Sequence, residues 1–161
     1  MVNYEVLSEN TRVWIYQSDK PFEEADIPKI RVKVKDFATK WVSHSAALKS
    51  FGDIYHGRFI VLMVDETQGG ASGCSIDSSV RFIQELEKDY GMDMFDRMNF
   101  TYKTEDGIKS AHREEFIELY RLGLINDETV VFNNLVTTKK AFEKKWEISL
   151  GESWHKKLIA N

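Results

Sequence analysis

Residues that could do chemistry are concentrated in one short segment, residues 69–78, which reads GGASGCSIDS. The segment holds the one cysteine of the chain, Cys74, and an aspartate, Asp77, three positions later. A helix that begins at the end of this segment would present free backbone N–H groups, which hold anions and favour a thiolate. The segment therefore predicts either a binding site for a small anion or a reactive thiol.

Two interpretations of Cys74 are open from the sequence. It is either the nucleophile of a thiol-dependent enzyme, with Asp77 or His155 as its partner, or a small packing residue. In the second case Asp77 or Ser75 acts only as the N-cap of the following helix. Two asparagines that interrupt an apolar strand likewise either bind a ligand or mark a bulge or strand end. The residues predicted to bind a ligand are Gly73, Ser75, Ser78, Asn133 and Asn134.

Two named motifs fail at this segment. A phosphate-binding P-loop that starts at Gly69 requires Gly, Lys and Ser or Thr at residues 74–76, which read CSI. The nucleophile elbow, Gly-x-Ser-x-Gly, fits from Gly73 but has Asp77 in place of its last glycine. The four histidines are widely spaced, and a cysteine-rich zinc site needs more than one cysteine. We therefore predict no metal and no cofactor.

The order of the predicted elements indicates the fold class. Strand-like runs alternate with amphipathic helical stripes in the order strand, helix, strand, strand, helix, strand. These elements are expected at residues 12–16, 22–44, 48–55, 58–65, 78–90 and 99–103. His56 and Gly57 should form a two-residue turn between the middle strands, and Gly91 should end the second helix. The order predicts an α+β fold with a ferredoxin-like βαββαβ core.

The last third of the chain continues the mixed pattern as a C-terminal β/α extension. A strand, a helix, a strand and a helix are expected at residues 108–111, 113–122, 130–132 and 138–146. No repeat, low-complexity segment or linker divides the sequence. We therefore predict a single domain over residues 1–161, with a C-terminal subdomain over residues 106–161 as the alternative.

Composition narrows the class of partner. The 161 residues have a net charge of −4 with both signs interleaved, which argues against nucleic acid as a partner. The apolar run at residues 59–64 is too short to cross a bilayer and the first residues lack a signal-peptide pattern, so we expect no membrane partner and a cytoplasmic location. Trp146 and Trp154 could anchor a homo-oligomer interface, although tryptophans at such positions also serve as core residues.

Several segments together resemble a known family. They read GCSIDSSVRFI at residues 73–83, FDR at 95–97, VFNNLV at 131–136 and SWHK at 153–156. These segments are similar to a family of small bacterial proteins of about this length, often labelled "ABC transporter ATPase". An ATPase of that class needs the P-loop that is missing here, so the resemblance implies a family without a mechanism.

Three hypotheses of function follow. The leading one is a non-enzymatic binding or regulatory module, whose partner is a protein or a small anionic ligand at residues 69–78. The alternative is a thiol-dependent enzyme that uses Cys74 as its nucleophile. The third is an interaction protein that forms homo-oligomers. The sequence leaves open which of the three is correct, and so whether the protein is an enzyme.

Overall fold

The protein has a mixed α+β fold, as the order of elements predicted. The structure, a computed structural model, describes residues 1–160. The chain divides into two compact units. The first comprises Met1–Phe95 with Thr137–Lys140, and the second comprises Asp96–Val136 with the chain from Ala141 onward.

The first unit contains a three-stranded antiparallel sheet in which an apolar strand is central. Its elements are β1 (Arg12–Gln17), α1 (Ile27–Lys40), β2 (Val42–Ser43), β3 (Ala46–Ala47), β4 (Lys49–Tyr55), β5 (Phe59–Asp65) and α2 (Gly73–Tyr90). The strand order is β1-β5-β4, and all seven residues of β5 are buried. This burial explains why β5 reads as an almost continuous apolar run. Strands β2 and β3 form a separate small hairpin.

The predicted hairpin between β4 and β5 is present, with a connection one residue longer than expected. His56 and Gly57 both have positive φ, 53° and 63°, and the Arg58 N–H donates to the Tyr55 carbonyl at 3.2 Å. The first pair of the ladder is Tyr55 with Phe59. Pairing shifts by one residue relative to a two-residue turn, and this shift places Lys49 opposite Asp65.

Helix α1 packs closely against the sheet and is shorter than predicted. Its buried face includes Ile30, Val34 and Ala38, as the apolar stripe indicated. A Cβ added at Gly52 of β4 would lie 3.1 Å from Val34 Cγ1 and 3.4 Å from Ala38 Cβ. Glycine at this position therefore allows the helix to approach the strand directly.

Helix α2 begins five residues earlier than predicted, at Gly73. The physical reason is a capping box between Ser72 and Ser75, in which each side chain accepts a hydrogen bond from the other residue's backbone N–H. Neither Ser75 nor Asp77 is therefore the N-cap. The far end is as expected, since Gly91 adopts a left-handed conformation and its N–H donates to the Glu87 carbonyl.

The second unit contains a four-stranded antiparallel sheet with the order β7-β6-β8-β9. Its elements are β6 (Asn99–Thr104), β7 (Gly107–His112), α3 (Arg113–Arg121), β8 (Val130–Phe132), β9 (Glu147–Ser149) and α5 (His155–Ala160), and α4 (Lys139–Lys145) precedes β9. The elements expected from residue 108 to residue 146 lie close to their predicted positions. Strand β9 and helix α5 were not predicted.

The strand order corrects the ferredoxin-like part of the prediction. That arrangement requires the strand after the second helix to join the first sheet, but β6 pairs with β7 and β8 in the second sheet. The tight turn before Gly107 makes β7 the nearest partner in sequence, and consecutive strands joined by a short turn usually pair. The first sheet of the described chain therefore has three strands. Across residues 1–160, no helix combines the length and apolar character needed to cross a membrane.

Candidate functional site

The structure places Cys74 in the first turn of α2 and not in a flexible loop. Cys74 is exposed, and the Gly73 and Cys74 N–H groups come before the first backbone hydrogen bond of the helix, from Ile76 N to the Ser72 carbonyl. Asp77 is also exposed, three positions further along the helix. The predicted segment thus consists of a loop, residues 69–72, followed by helix.

The predicted ligand-binding serines already donate their hydroxyl protons to the helix backbone. Ser75 Oγ donates to the Ser72 carbonyl at 2.8 Å, and Ser78 Oγ donates to the Ser75 carbonyl at 2.7 Å. The Ser75 carbonyl also accepts a hydrogen bond from Trp41 Nε1 at 2.8 Å. These contacts hold the start of α2 in place.

His155 lies in the second unit, whereas Cys74 lies in the first. Its ring is 1% exposed and is surrounded by the rings of Phe100, Phe116 and Trp154, with centroids 5.3, 5.7 and 4.2 Å away. The Ser153 hydroxyl forms a 2.6 Å hydrogen bond with Nδ1. Burial lowers the pKa of His155 to about 4, so the ring is neutral at neutral pH.

The two asparagines follow β8 directly, as the strand-end interpretation predicted. Asn133 Oδ1 accepts from the Leu135 N–H at 3.1 Å, and Asn134 Oδ1 accepts from Trp146 Nε1 at 2.9 Å. The Trp146 side chain is itself buried and stacks on Phe142. The two carboxamide oxygens thus contribute to the local structure of the second unit.

A cleft of about 290 Å³ lies in the first unit, partly against the predicted loop. The β2–β3 hairpin, the start of β4, the end of β5 and the loop after β5 all contribute to its lining. The lining residues are Ser43, His44, Ala46, Ala47, Leu48, Lys49, Asp65, Gln68, Gly69 and Gly70. Only the two glycines among them belong to the predicted segment, residues 69–78.

Asp65 lines this cleft and anchors the residues around it by hydrogen bonds. It is 1% exposed, and its Oδ1 accepts from the Thr67 N–H at 3.1 Å and the Thr67 hydroxyl at 2.7 Å. Its Oδ2 accepts from the Ser8 N–H at 3.0 Å and lies 3.3 Å from Lys49 Nζ. Burial by itself raises the pKa of Asp65, but these hydrogen bonds outweigh it and hold the pKa well below its usual range. The carboxylate is therefore charged and fully engaged.

Several other groups that line the cleft are without a partner inside the described part of the protein. Ser43 is 8% exposed, yet its hydroxyl forms no hydrogen bond within residues 1–160. The N–H groups of Gly69 and Gly70 likewise donate to no group there. A Cβ added at Gly69 would meet nothing within 4 Å, so space is open beside the loop.

Comparison with known proteins gives no match. No protein-family model, no curated protein and no solved structure matches the sequence. Residues 1–160 also hold no group of three or more His, Cys, Asp or Glu side chains that could bind a metal ion. Function must therefore be inferred from the cleft and from the exposed thiol.

Proposed function

We propose that this protein is a binding or regulatory module that holds a small molecule in the cleft beside residues 69–70. The observation that carries the proposal is that one cleft is lined by several polar groups without a partner in the protein, as described for Ser43, Gly69 and Gly70. Polar groups that line a cleft and have no partner in the protein can hydrogen-bond to a ligand, directly or through an ordered water.

The size and lining of the cleft support a small polar ligand. Pockets for drug-sized molecules run from roughly 300 to 1,000 Å³, and this cleft, at about 290 Å³, suits a ligand at or below the small end of that range. Ala46, Ala47 and Leu48 supply the apolar part of the lining, and Ser43, the start of β4 and the loop after β5 supply polar groups. Such a division is typical of sites that bind through burial and are made specific by a few hydrogen bonds.

Thermal unfolding with a panel of small metabolites tests the proposal. A ligand present at about a hundred times its Kd stabilises the folded state by about 2.7 kcal/mol, so it should raise the Tm in a concentration-dependent way. The variant Ala46→Trp should fill the cleft and abolish the shift. The matched variant Ala25→Trp, at an exposed alanine outside the lining, should retain it. A Tm shift that survives in Ala46→Trp, or a panel without any shift, would refute the cleft as the binding site.

A second candidate function is thiol chemistry at Cys74. The specific observation in its favour is that the thiol is exposed in the first turn of α2, where backbone N–H groups are free. If Cys74 is a nucleophile, iodoacetamide should alkylate it at neutral pH clearly faster than it alkylates a free thiol such as glutathione. Alkylation at the rate of the free thiol would leave Cys74 as an exposed residue without a catalytic role.

The remaining hypotheses have tests of their own. We retain homo-oligomer formation as a hypothesis, and sedimentation of the purified chain at high concentration tests it. We also retain membership of the family of small bacterial proteins, together with a cytoplasmic location. The family label of ATPase is tested by phosphate release from ATP, which we expect to be absent because residues 74–76 lack the P-loop lysine.

A further inference from the structure

We infer that the ligand of this cleft carries a carboxylate, which Lys49 and the neighbouring N–H and O–H donors would hold. This inference rests on the proposed function and adds the chemical class of the ligand. The observation behind it concerns the lining of the cleft. Hydrogen-bond donors remain available there, whereas the buried acceptor, Asp65, is fully engaged.

The carboxylate of Asp65 cannot accept a hydrogen bond from a ligand, because its oxygens are already occupied. Each oxygen of Asp65 receives two contacts, from Ser8 and Lys49 on one side and from Thr67 twice on the other. A carboxylate has about four lone-pair positions, and these contacts use all of them. Asp65 therefore holds Lys49 in place and has no capacity left for a ligand's N–H or O–H groups.

Lys49, by contrast, keeps unused capacity. An ammonium group has three N–H donors, and the one ion pair that the structure gives Lys49 is its 3.3 Å contact with Asp65. Its side chain is 30% exposed and lines the cleft, so the remaining protons are available to a ligand. The charge of Asp65 fixes the position of the ammonium and so lowers the entropy lost when a ligand oxygen binds it.

The neutral donors of the cleft complete the set. The Ser43 hydroxyl lines the cleft without a partner within residues 1–160, and the N–H groups of Gly69 and Gly70, on the exposed loop, likewise have no acceptor there. Backbone N–H groups and a hydroxyl bind carboxylate oxygens well, and such charge-assisted bonds are about twice as strong as neutral ones. The apolar part of the lining then favours a short aliphatic or aromatic group attached to the carboxylate.

The charges around the cleft favour one negative charge over two. The Lys49 charge is balanced by Asp65, and Glu66 approaches the loop closely, since its Oε2 lies 2.6 Å from the position of a Cβ built at Gly70. A dianionic phosphate would therefore meet one shared ammonium and a nearby carboxylate. A monoanion meets the same donors with less repulsion.

Titration of the isotope-labelled full chain with matched ligands tests this inference. The probes are butyrate and benzoate, their neutral amides butyramide and benzamide, and inorganic phosphate, with the amide resonances of Gly69 and Gly70 as the readout. We expect the carboxylates to shift these resonances and to bind at least about tenfold more tightly than the amides, as a charge-assisted bond predicts. Phosphate should bind more weakly than the carboxylates.

Variants connect the effect to the residues named. Lys49→Met should weaken the binding of butyrate and benzoate by about tenfold or more and leave the amides unchanged, whereas Lys35→Met, at an exposed lysine of α1, should change neither. If Lys49→Met does not fold because Asp65 loses its partner, Ser43→Ala supplies the test, since that hydroxyl has no partner in the described chain. It should weaken carboxylate binding several-fold.

The outcomes separate this inference from the proposed function. Amides that bind as tightly as carboxylates, or phosphate that binds more tightly, would overturn the carboxylate assignment and leave a ligand-binding cleft. An unchanged carboxylate affinity in both Lys49→Met and Ser43→Ala would also overturn it. If no probe shifts either glycine resonance, and no metabolite of the panel raises the Tm, the cleft is not a binding site and the proposed function is wrong.

Discussion

Acidification should destabilise the second unit because its core holds a neutral histidine. His155 is 1% exposed and packs among three aromatic rings, and burial lowers its pKa in the folded protein from 6.5 to about 4. In the unfolded chain the ring is solvated and takes up its proton near pH 6.5. Between these two values the unfolded state binds more protons than the folded state, so the free energy of unfolding falls as the pH falls.

The size of the effect follows from the two pKa values. A difference of one pKa unit corresponds to about 1.4 kcal/mol, so the complete shift corresponds to about 3 kcal/mol. More than half of this stability is already lost near pH 5, where the same linkage relation gives a loss of about 2 kcal/mol. For a protein of ordinary stability, about 5–15 kcal/mol, this is a measurable fraction.

Urea unfolding at about pH 7 and about pH 5 measures this difference directly. The variant His155→Phe keeps an aromatic ring among Phe100, Phe116 and Trp154 but cannot take up a proton. Between about pH 7 and about pH 5, its free energy of unfolding should therefore fall by about 2 kcal/mol less than that of the wild type. The control is His44→Asn, at an exposed histidine whose φ of 49° an asparagine tolerates. It should keep the pH dependence of the wild type.

The ring resonances of His155 give an independent measurement. In the folded protein they should not titrate until the pH approaches about 4. A folded-state titration near pH 6.5, or the same pH dependence of unfolding in His155→Phe and the wild type, would show that the ring is not buried as a neutral group.

Three further predictions concern the first unit. Ser72→Ala removes the side-chain acceptor for the Ser75 N–H and should cost about 1 kcal/mol in urea unfolding, while Ser72→Asp, which also caps helices, should cost less. Gly52→Ala places a Cβ 3.0 Å from Leu62 Cδ2 and should cost about 1–3 kcal/mol, whereas Gly69→Ala meets nothing within 4 Å and should retain the wild-type Tm. Asp65→Ala leaves Lys49 and three other donors without their acceptor and should cost about 3 kcal/mol or more in urea unfolding; a cost below about 1 kcal/mol would contradict the anchoring role.

Features that depend on neighbouring residues could be predicted from the sequence. The apolar run of β5 predicted a buried strand, and the stripe that contains Ile30 and Val34 predicted the face of α1 that packs on the sheet. Gly91 ended the second helix as expected because its left-handed conformation is a local property of glycine. The spacing of apolar residues and the residue types of a turn are properties of a few consecutive residues, so a single sequence is sufficient to predict them.

The start of α2 shows how local signals compete. Ser75 and Asp77 were the predicted N-caps, but Ser72 is a residue of the same type and can cap a helix equally well. The structure selects Ser72, where the reciprocal bonds with Ser75 form and the Ser75 carbonyl accepts a hydrogen bond from Trp41, which is 34 positions away. The capping box sets the boundary, and it places Cys74 in the first turn of a helix and not in a loop.

Contacts between distant parts of the chain determine the proposed site and the burial of His155. Lys49 and Asp65 face each other because the β4–β5 hairpin has the register that its three-residue connection sets, and a shift of one residue would break this pair. Ser43 and Gly69 line one cleft although 26 positions separate them, because the β2–β3 hairpin and the loop after β5 both contribute to it. His155 was expected near a site, and its burial depends on Phe100 and Phe116 from β6 and α3. Each of these arrangements joins segments that have no local signal for one another, so only the tertiary structure determines them.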